Sequence, residues 1–345
     1  MKDKISKLRK KNRKPEVDLG TRVTNDTVAV HREQILKGAR KYIYPLQHSK
    51  HRLVIISVSI FVLTVVAFFG YTTFALYKSK SNSLFLYRVT KVIPFPVARI
   101  GSDFVSYESY LFEINHYTHY YESQQELDFD TEAGQAQLAE FKKRALQKVI
   151  DDAYIRGIAQ QKNITVSDKE IDSALEVVRG QNRLGSNDTE LEAILKDYWD
   201  WSISDFRRSL KSQILSQKVL SSMDTSAHEK ANLAQAQLKN GKDFTLLAKE
   251  VSEDVGTKEN GGEYGVLIDK TNRDISPKTI EALFALQPGQ FSDVVDMGFG
   301  LEIVKNIENK GTQIRGAHIL FNFKDINEFL NNEKEQKKTR SYLTL

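Results

Sequence analysis

Cysteine is absent from all 345 residues. That excludes disulfides, thiolate zinc sites and cysteine nucleophiles, and it leaves no cysteine to carry a lipid anchor. Charge is absent from Leu53 to Tyr77, LVIISVSIFVLTVVAFFGYTTFALY. An apolar run of about 20 residues spans a bilayer as a helix, and buried core helices are rarely this long and this free of charge. A cleaved signal peptide is the rival. Its apolar region is usually about 7–15 residues, behind a short basic lead and before a small-x-small cleavage site. Here the lead runs from Met1 to Arg52 and TTFALY offers no such site, so a retained transmembrane anchor is expected over 53–77. A glycine-rich phosphate loop and a repeat period are also lacking.

The net charge of +5 is mild, and its distribution says more than its sum. Lys2, Lys4, Lys7, Arg9, Lys10, Lys11, Arg13, Lys14, Arg40, Lys41, Lys50 and Arg52 precede the apolar run; only Lys78, Lys80 and Arg88 follow closely. The positive-inside rule puts the N-terminus in the cytoplasm and everything after Tyr77 outside. The basic tail, residues 1–52, lacks the interleaved aromatics of a base-stacking surface. It reads as a topology-setting segment against anionic lipid, and no nucleic-acid partner is expected.

Residues 78–96 read as a linker, opening on the polar SKSNS. KVIPFPVARIGSDFVS, with two prolines and alternating apolar residues, is extended, and Ser106 is placed to cap the helix that follows. Helices are then expected to about Met223. One carries Leu138, Phe141, Ala145, Leu146, Val149, Ile150 and Ala153 along one stripe. Another opens on Ser167 with Glu170 three residues on, a capping box, and Gly180 is placed to end it. Glu113, His116, His119 and Glu122 partly share a helix face. Such spacing suits metal ligands, but nothing nearby supplies a second pair, and the reading is a polar stripe with no metal and no cofactor.

The order of these elements, a strand ending VARIGSDFVS, an aromatic helix, a long helix, VSDKEID, then SISDFRRSLKSQILSQKVL, resembles the N-terminal helical domain of SurA-like and PrsA-like folding factors. The resemblance covers 97–223 and implies a domain that cradles unfolded chains, in a bacterial cell-membrane protein.

After Met223 the composition shifts. DFTLLAKEVSEDVGTKENGGEYG, IEALFALQPGQFSDVV and GFGLEIVKNIE resemble, in order and spacing, the motif blocks of parvulin-type (PpiC-like) peptidyl-prolyl isomerases. The match implies a four-stranded antiparallel sheet with flanking helices. One strand is missing from its usual place. A parvulin begins with a strand reading roughly HIL, whereas here SQKVLSSMDTSAHEK runs from helix to helix. The strand stands after the last one instead, as RGAHILF. A hairpin through Asn309–Lys310–Gly311 would seat it beside that last strand. The expectation is therefore an α+β protein. A single transmembrane helix is followed by an all-α helical domain and a circularly permuted parvulin-like domain, 224–323, whose first strand lies at 314–321. A charged tail, 324–345, closes it, with Phe329 to Leu345 read as a frayed helix. The rival is that AHIL opens a second, truncated copy, which would leave the first copy's sheet unpaired in its middle.

Rotation about an X–Pro bond takes tens to hundreds of seconds unaided, and its catalysis needs a site that binds the twisted amide better than either planar form. By motif position the resemblance assigns Asp254 the acidic or thiol position and His318 the first histidine. The second histidine is replaced by Glu302. Two carboxylates beside one imidazole imply a protonated His318 at neutral pH. The proline pocket is assigned to Tyr264, Ile275, Ile280 or Thr279, and Met297, with Phe284 behind. For Asp254 the plain alternative is a turn residue; for Phe284, Leu283 and Leu286 it is core packing. The implied partners are unfolded or newly exported proteins with X–Pro bonds, and the membrane. Asp254 and His318 favour an isomerase assisting the folding of exported proteins. Glu302 favours a weak or inactive parvulin-fold chaperone that holds extended chains. A scaffold for other envelope proteins is a third reading.

Overall fold

The computed structural model describes residues 24–345 apart from 44, 183 and 186. The strongly basic lead, residues 1–23, lies outside the described residues. Two units separate, Met1–Phe74 and Ala75–Leu345. In the first, helix α1, Asn25–Ile43, precedes helix α2, Pro45–Thr73, which runs on as a π-turn through Phe74–Lys78. From His51 to Lys78 this is a continuous helix of 28 residues with mean hydropathy 2.8 in its most apolar window. At 1.5 Å per residue it is about 40 Å long, against a bilayer core of about 30 Å. By length and composition it is able to cross a membrane.

The second unit begins where the sequence reads only as a linker, and there the structure corrects the expectation. Ser83 caps a helix, α3, Leu84–Val92, by accepting from the Leu86 N–H at 3.4 Å. Leu86 is fully buried and Tyr87 packs against the same core, so the segment is anchored by that face. Strands β1, Pro96–Ile100, and β2, Asp103–Ser106, form a hairpin. Ser106 then caps α4, Tyr107–Gln125, as expected. Helix α5, Glu132–Gln161, buries Phe141, Ala145, Val149 and Ile150, the stripe legible in the sequence. Helix α6, Asp168–Asn182, starts at the Ser167–Glu170 capping box, but it runs through Gly180 instead of stopping there. Helices α7, Asp188–Trp199, and α8, Ile203–Met223, complete the bundle.

The C-terminal segment is a second correction. The helix is there, as α12, Ile326–Gln336, but it is packed instead of frayed, and strand β7, Thr339–Ser341, follows it. β7 pairs antiparallel with β1, giving a three-stranded sheet in the order β2-β1-β7. Leu330 and Leu343 are buried in the same core as Val97, Tyr154 and Leu111. The Tyr154 hydroxyl donates to the Lys337 carbonyl, and Lys334 pairs with Asp151 at 2.8 Å. Charge dominates the tail's composition, yet Ile326, Phe329 and Leu330 recur at helical spacing, and that apolar stripe decides its fate.

Between α8 and α12 lies the mixed domain. Asp224 caps α9, Thr225–Lys239, and Asp243 caps α10, Phe244–Val251. After β3, Glu263–Ile268, comes α11, Pro277–Ala285, with proline at its first position, where its missing N–H costs nothing. Strands β4, Val295–Asp296, β5, Gly300–Lys310, and β6, Gln313–Asn322, follow. The antiparallel sheet has the order β3-β6-β5-β4. β6 sits in its middle, paired to β5 through a turn at Gly311 and to β3 on its other side. This is the place the permuted arrangement requires, and AHILF opens no separate copy.

Period-two alternation sorts the two faces. Leu301, Ile303, Ala317, Ile319 and Phe321 pack against α9 and α10. Val304 packs with Ile268, Ile280 and Leu283 beneath α11. Glu302 and His318 share the α11 face with Val304, and the site is built there.

Candidate active site

His318 is set opposite Val304 on β5, two residues from Glu302. A glycine fixes its backbone. The His318 N–H donates to the Gly262 carbonyl at 2.8 Å, and a Cβ on Gly262 (φ +82°) would lie 2.1 Å from the His318 carbonyl oxygen. Only a residue without a side chain lets β3 start this close to β6. Asp254 arrives from the loop after α10. Its carboxylate accepts from the Gly256 N–H at 3.1 Å and from the Thr257 hydroxyl at 2.5 Å. The turn-residue reading of Asp254 thus holds, and the same turn aims the carboxylate at the histidine.

The three predicted side chains meet. His318 Nδ1 is 2.6 Å from Glu302 Oε1, and Nε2 is 2.9 Å from Asp254 Oδ2. Glu302 is 2 % exposed at its side chain, His318 9 % and Asp254 27 %, so the row runs from the interior to solvent. With a carboxylate at each ring nitrogen, the imidazole satisfies both by carrying two protons. Burial opposes the charge on His318. The hydrogen bond and charge of Glu302, and then those of Asp254, outweigh it and hold its pKa above the ordinary histidine value. Burial likewise works against the Asp254 charge, but hydrogen bonds from Thr257, His318 and Gly256 hold its carboxyl below the usual range.

Glu302 has further partners. Tyr264 donates its hydroxyl to Oε1 at 2.5 Å, and Thr279 donates to Oε2 at 2.5 Å. Burial, reinforced by the Glu302 charge, raises the Tyr264 pKa, so the phenol stays a donor. The Tyr264 ring lies 4.5 Å from the His318 ring, centroid to centroid. A buried carboxylate is tolerable when its lone pairs are filled in this way.

The five assigned pocket residues divide. Tyr264 is in the cluster, and Met297 adjoins it, its sulfur 3.3 Å from the Thr279 hydroxyl. Ile275 is half-buried against the α11 core. Ile280 and Phe284, one turn apart on α11, line a different cleft. This opening of about 640 Å³ faces α6, with Val177, Gly180, Lys270 and Arg273 among its other walls. Thr279, the alternative to Ile280, takes the place beside Glu302. Thr257 was not anticipated. Its hydroxyl also lies 2.9 Å from His318 Nε2. The available signal was a hydroxyl three residues beyond a turn-forming aspartate.

Two members of the Glu113–Glu122 stripe have partners outside it. Glu113 pairs with Lys148 at 3.2 Å, and His119 Nε2 lies 2.9 Å from the Asp197 carbonyl. Burial among Phe112, Tyr117 and Trp201 pushes His116 down to about 4. Among the described residues no group of three or more His, Cys, Asp or Glu side chains is arranged to hold a metal ion.

Comparison with known proteins agrees with both halves. Residues 46–220, just over half of the chain, match the family described as the SurA-like N-terminal domain. Residues 214–308 match the PPIC-type PPIase domain, or rotamase. That second match ends before β6, so His318 enters the cluster through the fold. Similar curated proteins include a parvulin-like PPIase of Rickettsia prowazekii, 34% identical over 88 residues, 26% of this chain and 31% of that protein. The foldase protein PrsA of Caldanaerobacter subterraneus subsp. tengcongensis is 28% identical over 180 residues, 48% of this chain and 56% of that protein. Foldase protein PrsA 3 of Bacillus anthracis is 39% identical over 75 residues, 21% of this chain and 25% of that protein. The chain thus spans between about a quarter and just over half of the relatives it matches. It belongs to the family built on the SurA-like N-terminal domain, and behind that domain it carries one of the PPIC-type peptidyl-prolyl isomerase family.

Proposed function

We propose that this chain is a membrane-anchored peptidyl-prolyl cis-trans isomerase that assists the folding of exported proteins. The observation carrying the reading is the row Asp254–His318–Glu302. Three residues from three separate segments are drawn to one face of the sheet with both imidazole nitrogens engaged. Nothing in isomerisation requires a nucleophile or a cofactor. The row offers a fixed polar wall, solvent-accessible at Asp254, beside the apolar Met297 and Tyr264. Such a wall accelerates rotation to the extent that it binds the twisted amide better than its planar forms. The foldase and isomerase names of the relatives support the same reaction.

Localisation and domain limits belong to the same proposal. The helix over 53–77 is the anchor of a single-pass bacterial membrane protein, with residues 1–52 in the cytoplasm and the rest outside. The helical domain comprises 78–223 completed by 324–345, and the isomerase domain comprises 224–323. The partners are unfolded or newly exported chains with X–Pro bonds, and no nucleic acid.

The test is a prolyl-peptide isomerisation assay on the full chain in detergent, with Asp254→Ala and His318→Ala. Acceleration that both changes reduce by about tenfold or more supports the enzyme, on the scale by which positioned polar groups contribute to catalysis. No acceleration, or acceleration indifferent to both, overturns it. One observation favours a holding function instead. Ile280 and Phe284 face the α6 cleft, and of the two residues assigned to one pocket position it is Thr279, with its hydroxyl, that lies beside Glu302. Suppressed aggregation of an unfolded protein without isomerisation would select that reading.

A further inference from the structure

Helix α8 serves both halves of the second unit. Near its start, Phe206 and Leu210 lie in the helical-domain core with Leu191 and Leu195. Near its end, Gln217 and Ser221 meet the turn between β4 and β5. The Ser221 hydroxyl donates to Asp296 Oδ2 at 2.6 Å, while the Gly298 N–H donates to Asp296 Oδ1 at 2.7 Å. His228 Nε2 lies 3.0 Å from the Ser221 carbonyl and 3.3 Å from its hydroxyl, which seats the serine at the end of α8. Lys278, beside Thr279 on α11, donates to the Asp296 carbonyl at 2.6 Å. Gly298 adopts φ +91°, and a Cβ there would come within 2.9 Å of the Gln217 side chain. The helix and the turn are therefore in close contact as well as hydrogen-bonded.

This turn leads directly into the site. Asp296 pairs with Leu301 and Val295 with Glu302 across β4 and β5. The Met297 N–H closes the turn on the Gly300 carbonyl at 3.0 Å. The Met297 sulfur meets the Thr279 hydroxyl, and that hydroxyl holds Glu302.

We propose that Ser221 is a positioning residue of the isomerase site: through Asp296 it fixes the Asp296–Gly300 turn, so that helix α8 of the helical domain buttresses the turn that sets Met297 and Glu302. The proposal rests on the isomerase reading of the Asp254–His318–Glu302 row. Its consequence is coupling. A client that shifts α8 in the helical domain changes the isomerase site, because one helix belongs to both.

The experiment uses the full chain in detergent with Ser221→Ala, Asp296→Ala, the double variant, Ser221→Thr as the conservative rescue, and Ser222→Ala as control. Ser222 donates back to the Val219 carbonyl at 2.7 Å within its own helix. Two readouts are taken: kcat/KM on a prolyl peptide, and the titration of the His318 ring by NMR, a group faced by Glu302, Asp254 and Tyr264. Each alanine variant is expected to lose about tenfold in kcat/KM, the scale on which small misplacements act. The double variant should lose no more than Asp296→Ala alone, since both singles remove the Ser221–Asp296 hydrogen bond and Asp296→Ala also removes the one from Gly298. Ser221→Thr should recover most of the rate, Ser222→Ala should be unchanged, and His318 should titrate lower in Ser221→Ala. Additive losses, or Ser221→Ala with unchanged kcat/KM and an unchanged His318 titration, overturn the proposal, even if thermal stability falls. If the parent chain accelerates no isomerisation, the enzyme reading fails by itself, and the His318 titration alone then decides whether Ser221 sets the cluster.

Discussion

Glu302 stands where the sequence resemblance leads to the expectation of a histidine, and charge dictates what that exchange would do. A second imidazole beside His318 would compete with it for protons; a carboxylate accepts the Nδ1 proton and its charge favours the imidazolium. The sign for stability follows from the raised His318 pKa. Its contribution is fully present below the ordinary histidine value and is lost as pH rises through the folded value. Over that window stability should fall by up to about 1.4 kcal/mol per pH unit. Denaturant unfolding across pH should show this slope in the parent and lose it in His318→Gln. Asp254 acts with the opposite sign: its pKa is depressed, so its contribution is present above the ordinary carboxylate range and disappears as pH falls through the folded value. Removing Glu302 strands three donors, Tyr264, Thr279 and His318. Glu302→Leu should therefore cost about 3–5 kcal/mol in equilibrium unfolding, and Glu302→Gln markedly less. The sequence supplied the identities of the three central residues by motif position. It did not supply Thr257, nor the choice of Thr279 over Ile280. Thr257 depends on how the turn after Asp254 folds, and Thr279 on which way α11 is rotated about its own axis; packing decides both.

At the scale of elements, β6 and the C-terminal segment carry the lesson. GAHILF has the alternation of a strand, and its resemblance to an opening strand gave it a partner on β5 through the Gly311 turn. The tail's helix was legible, but its packing and its strand were missed because its charges outnumber its apolar side chains. What counts is their spacing, and Leu330 and Leu343 are buried where composition suggests a solvated end. Leu330→Ala should cost about 2–5 kcal/mol, the range for a buried leucine truncated in a core, read by thermal or denaturant unfolding of the helical domain. Truncation after Gln336 removes β7 and leaves β1 with an unpaired edge. Amide exchange should then quicken in Val97–Ile100 while β5 and β6 keep their protection. Equal exchange in β1 with and without the tail would show that the pairing contributes nothing.

Over the whole molecule, the apolar helix and the charge asymmetry make one prediction about placement. The full chain should stay in the membrane fraction through an alkaline wash and need detergent for release, and protease added outside the cell should reach the domains after Tyr77. Recovery in the soluble fraction would remove the anchor. The sequence by itself determined what is local or positional: the charge-free span, the helix caps at Ser106 and Ser167, the order of domains, and the motif blocks bearing Asp254 and Glu302. These follow from composition, periodicity and short-range hydrogen bonding, which a linear reading contains. Tertiary structure alone decided that the last residues return to the first sheet, that Ile280 and Phe284 turn toward α6, and that Ser221 reaches Asp296 across 75 positions of chain. Such contacts arise because buried apolar faces and unpaired polar groups must find partners wherever the folded chain brings them, and sequence distance places no limit on that search.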